Sequence, residues 1–547
     1  MPSSRGRLRP IIVVAVAILP LVVYFAYATW LQPISPFYAN YDPEFQYMLN
    51  SLEAFKGRPY YYADHPGSPL EALGTVLYAA TIPFLRVDAD AFIRFHLIHP
   101  RLFLTAAHGL LVLASAASMA CLINLTSSGR RGAASAFGAA LGLMYFAVHP
   151  MAFDSLMIWS HNSFSFALGT LLIALLYRLL SGVSPGHAIP WRPLAWLSLG
   201  AGLLASITIY LAAWAAGYLV IVAIWCVIGN TPRHQAWRSV LVIVAGSILG
   251  FVLGVLPVMH RLSGFADWIA ALLTHESPYL LGAPDQPLIG RWINNLTELM
   301  GQLPLLFVTA LVLAAMAVIA FARWRKSLRE EPASWSVVLG LTFQCLLLTA
   351  FIIDHPKPDY MLAVAAVQPV LVLATVDLYR RSPAASRLVK NAFTLLILIG
   401  VVLALTASMG RHTNKARLIA RVEKQTTSLQ EEYAGLQGRA PQSLVVVWTY
   451  GTYSPCFSWW FGNDSTDNAF RREIGKLCPR QLALDIFGQM VIPRQGARPL
   501  DQTGWDMIIG CGDAFKIPVL RDLPFVESFP ELRLSCGDLT VAYRVRR

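Results

Sequence analysis

The run PIIVVAVAILPLVVYFAYATWL, residues 10–31, decides the fold. No charge interrupts it, and about 20 apolar residues cross the ~30 Å hydrocarbon core of a bilayer as one α-helix. Runs of the same character recur at 240–259 and 392–409. Working outward from them places eleven spans, near 10–31, 101–123, 132–150, 163–180, 194–209, 211–228, 239–260, 303–322, 335–353, 360–379 and 391–409. Of the 547 residues, 56% are apolar and only 14% charged, with a mean hydropathy of +0.53. A soluble chain carries about 25% charged residues. Soluble enzyme, disordered chain and small disulfide scaffold are excluded. The expected class is an all-α polytopic membrane protein with about 11 transmembrane helices and a small external α/β domain at the C-terminus.

The net charge of +12 is a topology signal. One set of ends and connections (1–9, 124–131, 181–193, 229–238, 323–334 and 380–390), with the adjoining helix ends, holds 17 Lys and Arg. These include Arg5, Arg7, Arg9, Arg130, Arg131, Arg323, Arg325, Lys326, Arg380 and Arg381, against the acids Glu330, Glu331 and Asp377. The opposite connections hold 14 acids and eight basic residues. Basic loops stay in the cytoplasm, so the N-terminus is expected inside and the C-terminal 138 residues outside. No nucleic-acid partner is implied. Arg5, Arg7 and Arg9 resemble the start of a signal peptide, but the apolar stretch after them is too long and Trp30-Leu31-Gln32 is no small-residue cleavage site. A retained helix is expected. The pair 194–209 and 211–228 reads as two spans, because one bent helix would reverse the charge pattern downstream.

Cys121, Cys226 and Cys345 fall in or at the ends of apolar spans, where a thiol is a small apolar group. Cys456, Cys478, Cys511 and Cys536 lie within 81 residues of the C-terminal segment. On an oxidising face they suggest two disulfides, with three connectivities open. In that segment, 411–547, residues 412–437 pattern as a polar amphipathic helix, and 443–448, 505–509 and 538–545 read as strands. Trp448-Thr449-Tyr450-Gly451 and Ser458-Trp459-Trp460-Phe461-Gly462 read as aromatic packing there. Asn-x-Ser/Thr matches at Asn124, Asn295 and Asn463 arise often by chance and carry no weight.

The first external connection, 32–100, is far longer than the ~15 residues beyond which loops tend to be functional. Tyr41-Asp42-Pro43-Glu44-Phe45-Gln46-Tyr47 comes about ten residues after the first span, with two carboxylates among aromatic rings. Tyr60-Tyr61-Tyr62-Ala63-Asp64-His65-Pro66-Gly67-Ser68-Pro69-Leu70 follows, and the apolar stretch 70–85 reads as a helix lying in the interface.

This arrangement resembles membrane glycosyltransferases of the GT-C superfamily, closest to the protein O-mannosyltransferase and lipid A aminoarabinose-transferase branch. The resemblance covers about 10–410, taken as the transmembrane domain 1–410. It lies in the order of a first span, an external acidic motif (Asp42-Pro43-Glu44), a Pro-rich turn (His65-Pro66-Gly67-Ser68-Pro69-Leu70) and a ladder of spans. The late external loop Asp354-His355-Pro356-Lys357-Pro358-Asp359-Tyr360-Met361-Leu362 adds the basic residue, Pro and Tyr-Leu that precede a late span in these enzymes. Pro43 separates the two acids where many relatives have Asp-Glu adjacent.

The resemblance implies a sugar donor carried on a polyprenyl phosphate and a lipid, glycan or protein acceptor, at the periplasmic face of a bacterial inner membrane. No nucleotide-binding glycine loop is present, in keeping with such a donor. Asp42 is expected to be the general base, with Glu44 beside it. Lys357, Arg94 and Arg101 are candidates to hold the donor phosphate. Asp64, His65, His355 and Tyr360 are candidate substrate ligands, joined by His161 from Ser160-His161-Asn162 and by His275, Glu276 and Tyr279 from the long connection 261–302. A divalent cation, Mg or Mn, is left open, with Asp42 and Glu44 its ligands if any.

Structural readings stand beside these. Asp42 before Pro43 is also the pattern of a helix cap, a first-turn Glu suits the helix dipole, and an interfacial lysine snorkels to headgroups. Two other classes are weighed. A polytopic transporter or lipid flippase is opposed by the lack of an internal repeat. A non-catalytic assembly protein is opposed by the carboxylates, histidines and aromatics gathered in 32–100.

Overall fold

The computed structural model describes residues 4–38, 41–62, 68–127, 136–261, 263–264, 266–267, 288–324, 328–353, 356–380, 382–436, 444–449, 454–484, 491–492, 506–511, 527–528, 532–534 and 537–543. Among them, eight helices are long and apolar enough to cross a bilayer: Ile11–Leu31, Pro100–Thr126, His161–Ser181, Arg233–Arg261, Pro304–Arg323, Pro332–Ile352, Pro358–Leu378 and Pro383–Lys424. Ala136–Val148 and Ala212–Ile228 are apolar but shorter, and Trp191–Ile207 has 17 residues. With these three, helices stand at all eleven positions where the sequence places a span. The doubtful pair is two helices. Thr208 is extended (φ −157°, ψ 143°), and a 3-10 turn, Ile209–Leu211, leads into the next helix.

The last expected span and the polar helix after it form one helix, Pro383–Leu436, of 54 residues. Gly410 lies within it, and one helical glycine costs about 1 kcal/mol, too little to break a helix this long.

Contacts divide the chain into two compact units. One comprises Met1–Ala26, Ala63–Leu70 and His108–Met409; the other comprises Tyr27–Tyr62, Glu71–Ala107 and Gly410–Arg547.

The first unit is a helical bundle around Leu362–Leu378, every residue of which is buried. A helix apolar on all sides is stable only when surrounded. Small residues let neighbours close in: Gly169 lies under the Trp214 indole, Gly217 against Gln344 and Gly340 against Ile221. Thr170 donates to the Ala366 carbonyl at 2.7 Å and Ser118 to that of Ala167 at 2.6 Å. The closest approach is between Trp191–Ile207 and Arg233–Val255. There Gly246, Gly250 and Gly254 meet the stretch of the first helix that carries Ser198, Gly202 and Ser206. Two helices with small residues every fourth position can bring backbone onto backbone.

The second unit holds the first long connection, apart from Ala63–Leu70, and the C-terminal segment. The connection folds as Tyr41–Glu53, Ser68–Ala79, Ile82–Leu85 and Ala89–Ile98. The stretch expected in the interface, 70–85, lies in Ser68–Leu85, and a 110° bend separates it from Ala89–Ile98. Arg86 makes the turn in the left-handed region (φ 48°), and the Asp88 carboxylate caps the following helix by accepting from Ala91 N–H at 2.8 Å.

The C-terminal segment forms a seven-stranded sheet: β1 Val446–Trp448, β2 Gln481–Leu484, β3 Val491–Ile492, β4 Met507–Cys511, β5 Glu527–Ser528, β6 Leu532–Leu534 and β7 Gly537–Tyr543. The order is β3-β2-β1-β4-β7-β5, with β6 also paired to β7. β1 is parallel to β2 and β4, while β7 runs antiparallel to β4, β5 and β6. The three expected strands are β1, β4 and β7. Between β1 and β2 the chain crosses over through the helices Pro455–Asp464 and Arg471–Leu477. Cys456 and Cys478 at the two ends of this crossover are disulfide-bonded, with their Cα atoms 5.6 Å apart. Cys536 and the side chain of Cys511 lie outside the described residues.

Candidate functional site

Two groups of polar residues stand out, one in each unit. In the second unit, the helix Tyr41–Glu53 carries the acidic motif in its first turn. It begins at Tyr41, so Asp42 stands in its first turn. The side chain of Asp42 lies outside the described ones. Glu44 is buried, 1% exposed.

Packing holds this helix from the C-terminal side of the same unit. Trp459 on Pro455–Asp464 sets its ring 4.9 Å from Phe45 and 5.4 Å from Phe37, edge-on to both. Ser458 donates to the Phe37 carbonyl at 2.6 Å, and Asn50 donates to that of Ser465 at 3.1 Å. Gly462 lies against the backbone of Phe45, where a Cβ would come within 2.8 Å of its carbonyl oxygen. Lys56 donates to the Ala469 carbonyl at 2.7 Å and pairs with Glu473 at 3.1 Å. The aromatic run 458–462, expected to be packing, is the anchor of the acid-bearing helix. Truncating Trp459 to Ala is expected to cost about 3–5 kcal/mol, the usual range for a buried aromatic. The thermal midpoint should fall, and amide exchange should accelerate through 41–53; unchanged exchange there refutes the anchoring role.

The far end of the helix shapes the segment that follows. Asn50 Oδ1 accepts from Tyr61 N–H at 3.2 Å and Tyr62 N–H at 3.0 Å, and Glu53 Oε2 accepts from Tyr61 N–H at 3.1 Å. Tyr60 and Thr75 hydroxyls are 2.8 Å apart, and Thr75 donates to the Ser51 carbonyl at 2.7 Å. Glu53 and Glu71 are fully buried. Burial pushes the Glu53 carboxyl up to about 8, against the backbone N–H of Tyr61 and the Arg58 guanidinium, which favour its charge.

A carboxyl raised in the fold binds its proton more tightly there than in the unfolded chain. Its contribution is therefore full below the ordinary value of 4.5 and is lost as pH climbs to about 8. Glu53→Gln keeps an acceptor for Tyr61 and cannot ionise. Its thermal midpoint is expected to match wild type near pH 5 and to exceed it at pH 8.5; midpoints in parallel across that range contradict the buried neutral acid.

Arg101 donates to the Thr29 carbonyl at 2.7 Å, and Arg94 is exposed on Ala89–Ile98.

In the first unit, the turn Pro358–Met361 brings three expected residues together with four that the sequence did not mark out. Lys357 is exposed, its ammonium 5.9 Å from the Tyr360 ring centroid. Tyr360 lies 6.3 Å from His161 and 5.6 Å from Tyr210, ring centre to ring centre. His161 is buried as the first residue of its helix, which Ser160 caps by accepting from Ser163 N–H at 3.2 Å. Asn162 Nδ2 donates to Asp359 Oδ2 at 3.0 Å, while its Oδ1 accepts from the Tyr210 hydroxyl. His149 Nδ1 accepts from Met151 N–H at 3.2 Å, which leaves Nε2 to donate to the Pro358 carbonyl at 2.8 Å. Asn162 and Asp359 sit inside motifs already singled out, next to His161 and two residues after Lys357. His149 and Tyr210 carry no comparable signal.

Asp64, His65, His275, Glu276, Tyr279 and His355 lie outside the described residues. Among the described residues, no three His, Cys, Asp or Glu side chains converge as metal ligands.

No protein-family model matches the chain, and no curated protein matches it. Among solved structures it is similar to ArnT from Cupriavidus metallidurans, a crystal structure with undecaprenyl phosphate bound. Identity is 12% and the TM-score 0.48, over 99% of this chain and 98% of that one. At that level the likeness assigns no role to any residue.

Proposed function

We propose that the protein is an inverting glycosyltransferase that moves a sugar from a polyprenyl-phosphate donor to a hydroxyl of a cell-envelope acceptor. The reaction takes place at the periplasmic face of a bacterial inner membrane, with the N-terminus in the cytoplasm. The observation that carries this reading is the placement of Asp42 in the first turn of a helix about ten residues after the first span, held by the Trp459 anchor. The external side follows from the basic residues gathered on the opposite set of loops.

The acceptor oxygen attacks the anomeric carbon and gives its proton to Asp42. The bond from that carbon to the phosphate oxygen breaks, and polyprenyl phosphate leaves with the electron pair. A single displacement inverts the anomeric centre. The ammonium of Lys357 offsets the charge that develops on the departing phosphate, and His161 and Tyr360, grouped beside it, supply donors for sugar hydroxyls. A carrier lipid as donor accords with a chain built mainly of apolar helices. Both hexose and pentose donors fit this chemistry.

The test is turnover by purified protein supplied with a polyprenyl-phosphate hexose or pentose and envelope acceptor lipids. Release of polyprenyl phosphate that depends on acceptor supports the transferase. Failure of every such donor to bind a folded protein rejects it and favours transport.

A further inference from the structure

Lys357 and Asp359 are two residues apart on a short external turn, yet no ion pair joins them among the described contacts. The reason is structural. Asp359 is turned to Asn162, whose Nδ2 donates to its Oδ2 at 3.0 Å, and Asn162 is itself held through Oδ1 by the Tyr210 hydroxyl. The three residues come from separate elements: the first turn of His161–Ser181, the 3-10 turn Ile209–Leu211 and the turn Pro358–Met361. Lys357 itself sits on stiff backbone. Pro356 and Pro358 flank it, and its extended conformation (φ −93°, ψ 128°) is the one favoured before proline. His149 pins the next carbonyl, that of Pro358, at 2.8 Å. The lysine is exposed, its ammonium over the Tyr360 ring, while the Asp359 carboxylate, which feels the Lys357 charge, is hydrogen-bonded to Asn162 instead of paired with the ammonium.

We infer that Asn162 is a positioning residue for the donor phosphate: by holding Asp359, it keeps the Lys357 charge available to an anionic ligand. The inference rests on the proposed role of Lys357. Without Asn162, Asp359 loses its amide partner and pairs with Lys357, so that a phosphate must displace a tethered carboxylate. Removing that carboxylate as well makes Asn162 unnecessary. A purely structural role predicts the reverse, because two lost partners loosen the turn more than one.

The experiment is binding of a short-chain polyprenyl phosphate to the full-length protein in detergent, with thermal midpoints to confirm folding. Asn162→Ala should raise Kd about tenfold, the scale of one hydrogen bond to a charged group. Asn162→Ala with Asp359→Asn should return Kd to within about twofold of wild type, well inside that tenfold change. In a Lys357→Ala background, Asn162→Ala should change nothing further. Additive losses in the Asn162/Asp359 double variant, or a loss of equal size without Lys357, overturn the inference. Absence of binding by wild type overturns it together with the donor assignment, whereas binding that survives Asn162→Ala overturns the positioning role alone.

Discussion

Asp42→Asn is expected to lower turnover about a thousandfold, in the middle of the range attributed to a positioned general base, while leaving donor binding close to wild type. Asn has the size of Asp and keeps a hydrogen-bonding oxygen, so little packing changes. What it loses is the ability to take a proton as the acceptor oxygen bonds to carbon. The first turn of Tyr41–Glu53 is a favourable place for a carboxylate, because exposed backbone N–H groups and the helix dipole stabilise negative charge. The measurement is acceptor-dependent release of polyprenyl phosphate by both proteins, with donor binding in parallel. Turnover within tenfold of wild type moves the base elsewhere, and simultaneous loss of donor binding makes Asp42 a binding group. Glu44 is buried in the same turn of helix, so its replacement would also disturb packing, and Asp42 is the stronger test.

The second large effect concerns stability. Gly250→Leu is expected to prevent recovery of folded protein from mild detergent. A Cβ at Gly250 falls on the carbonyl oxygen of Leu199 and within 3.0 Å of the Leu199 carbonyl carbon and the Leu203 nitrogen. Gly202 meets Arg233–Val255 in the same way, with a Cβ there 2.8 Å from the Ser247 carbonyl carbon and 2.9 Å from the Phe251 nitrogen. Backbone cannot retreat as a flexible side chain does. The helices must separate, and the close packing that replaces the hydrophobic effect inside a bilayer is lost along the whole contact. Gly290→Leu is the control, since nothing lies within 4 Å of a Cβ at that position. The readout is the monodisperse fraction after size-exclusion chromatography. Equal recovery of the two variants rules out the tight crossing.

Much of the candidate chemistry was legible in the sequence because it sits in short motifs between apolar runs. His161 comes from one motif and Lys357 and Tyr360 from another, and the structure gathers the three in one unit. Asn162 and Asp359 were inside the quoted motifs, but their hydrogen bond joins residues 197 apart, and neither motif shows which of its members face each other. The anchoring of the acid-bearing helix was hidden for the same reason. Trp459 reads as packing, and its partners Phe37 and Phe45 lie more than four hundred positions earlier.

The break at Thr208 came from the structure, while the sequence by itself determined where helices capable of crossing a membrane lie and the strands β1, β4 and β7. Each depends on the hydropathy or periodicity of a few consecutive residues, and such local properties survive without knowledge of neighbours. The tertiary structure alone decided that the glycines at 246, 250 and 254 meet the helix Trp191–Ile207, and that Cys456 bonds Cys478. It also decided that burial raises the Glu53 carboxyl to about 8 and that Asn162 donates to Asp359. Steric fit, desolvation and hydrogen bonding act over a few ångströms of space, and chain order does not record which distant residues come that close.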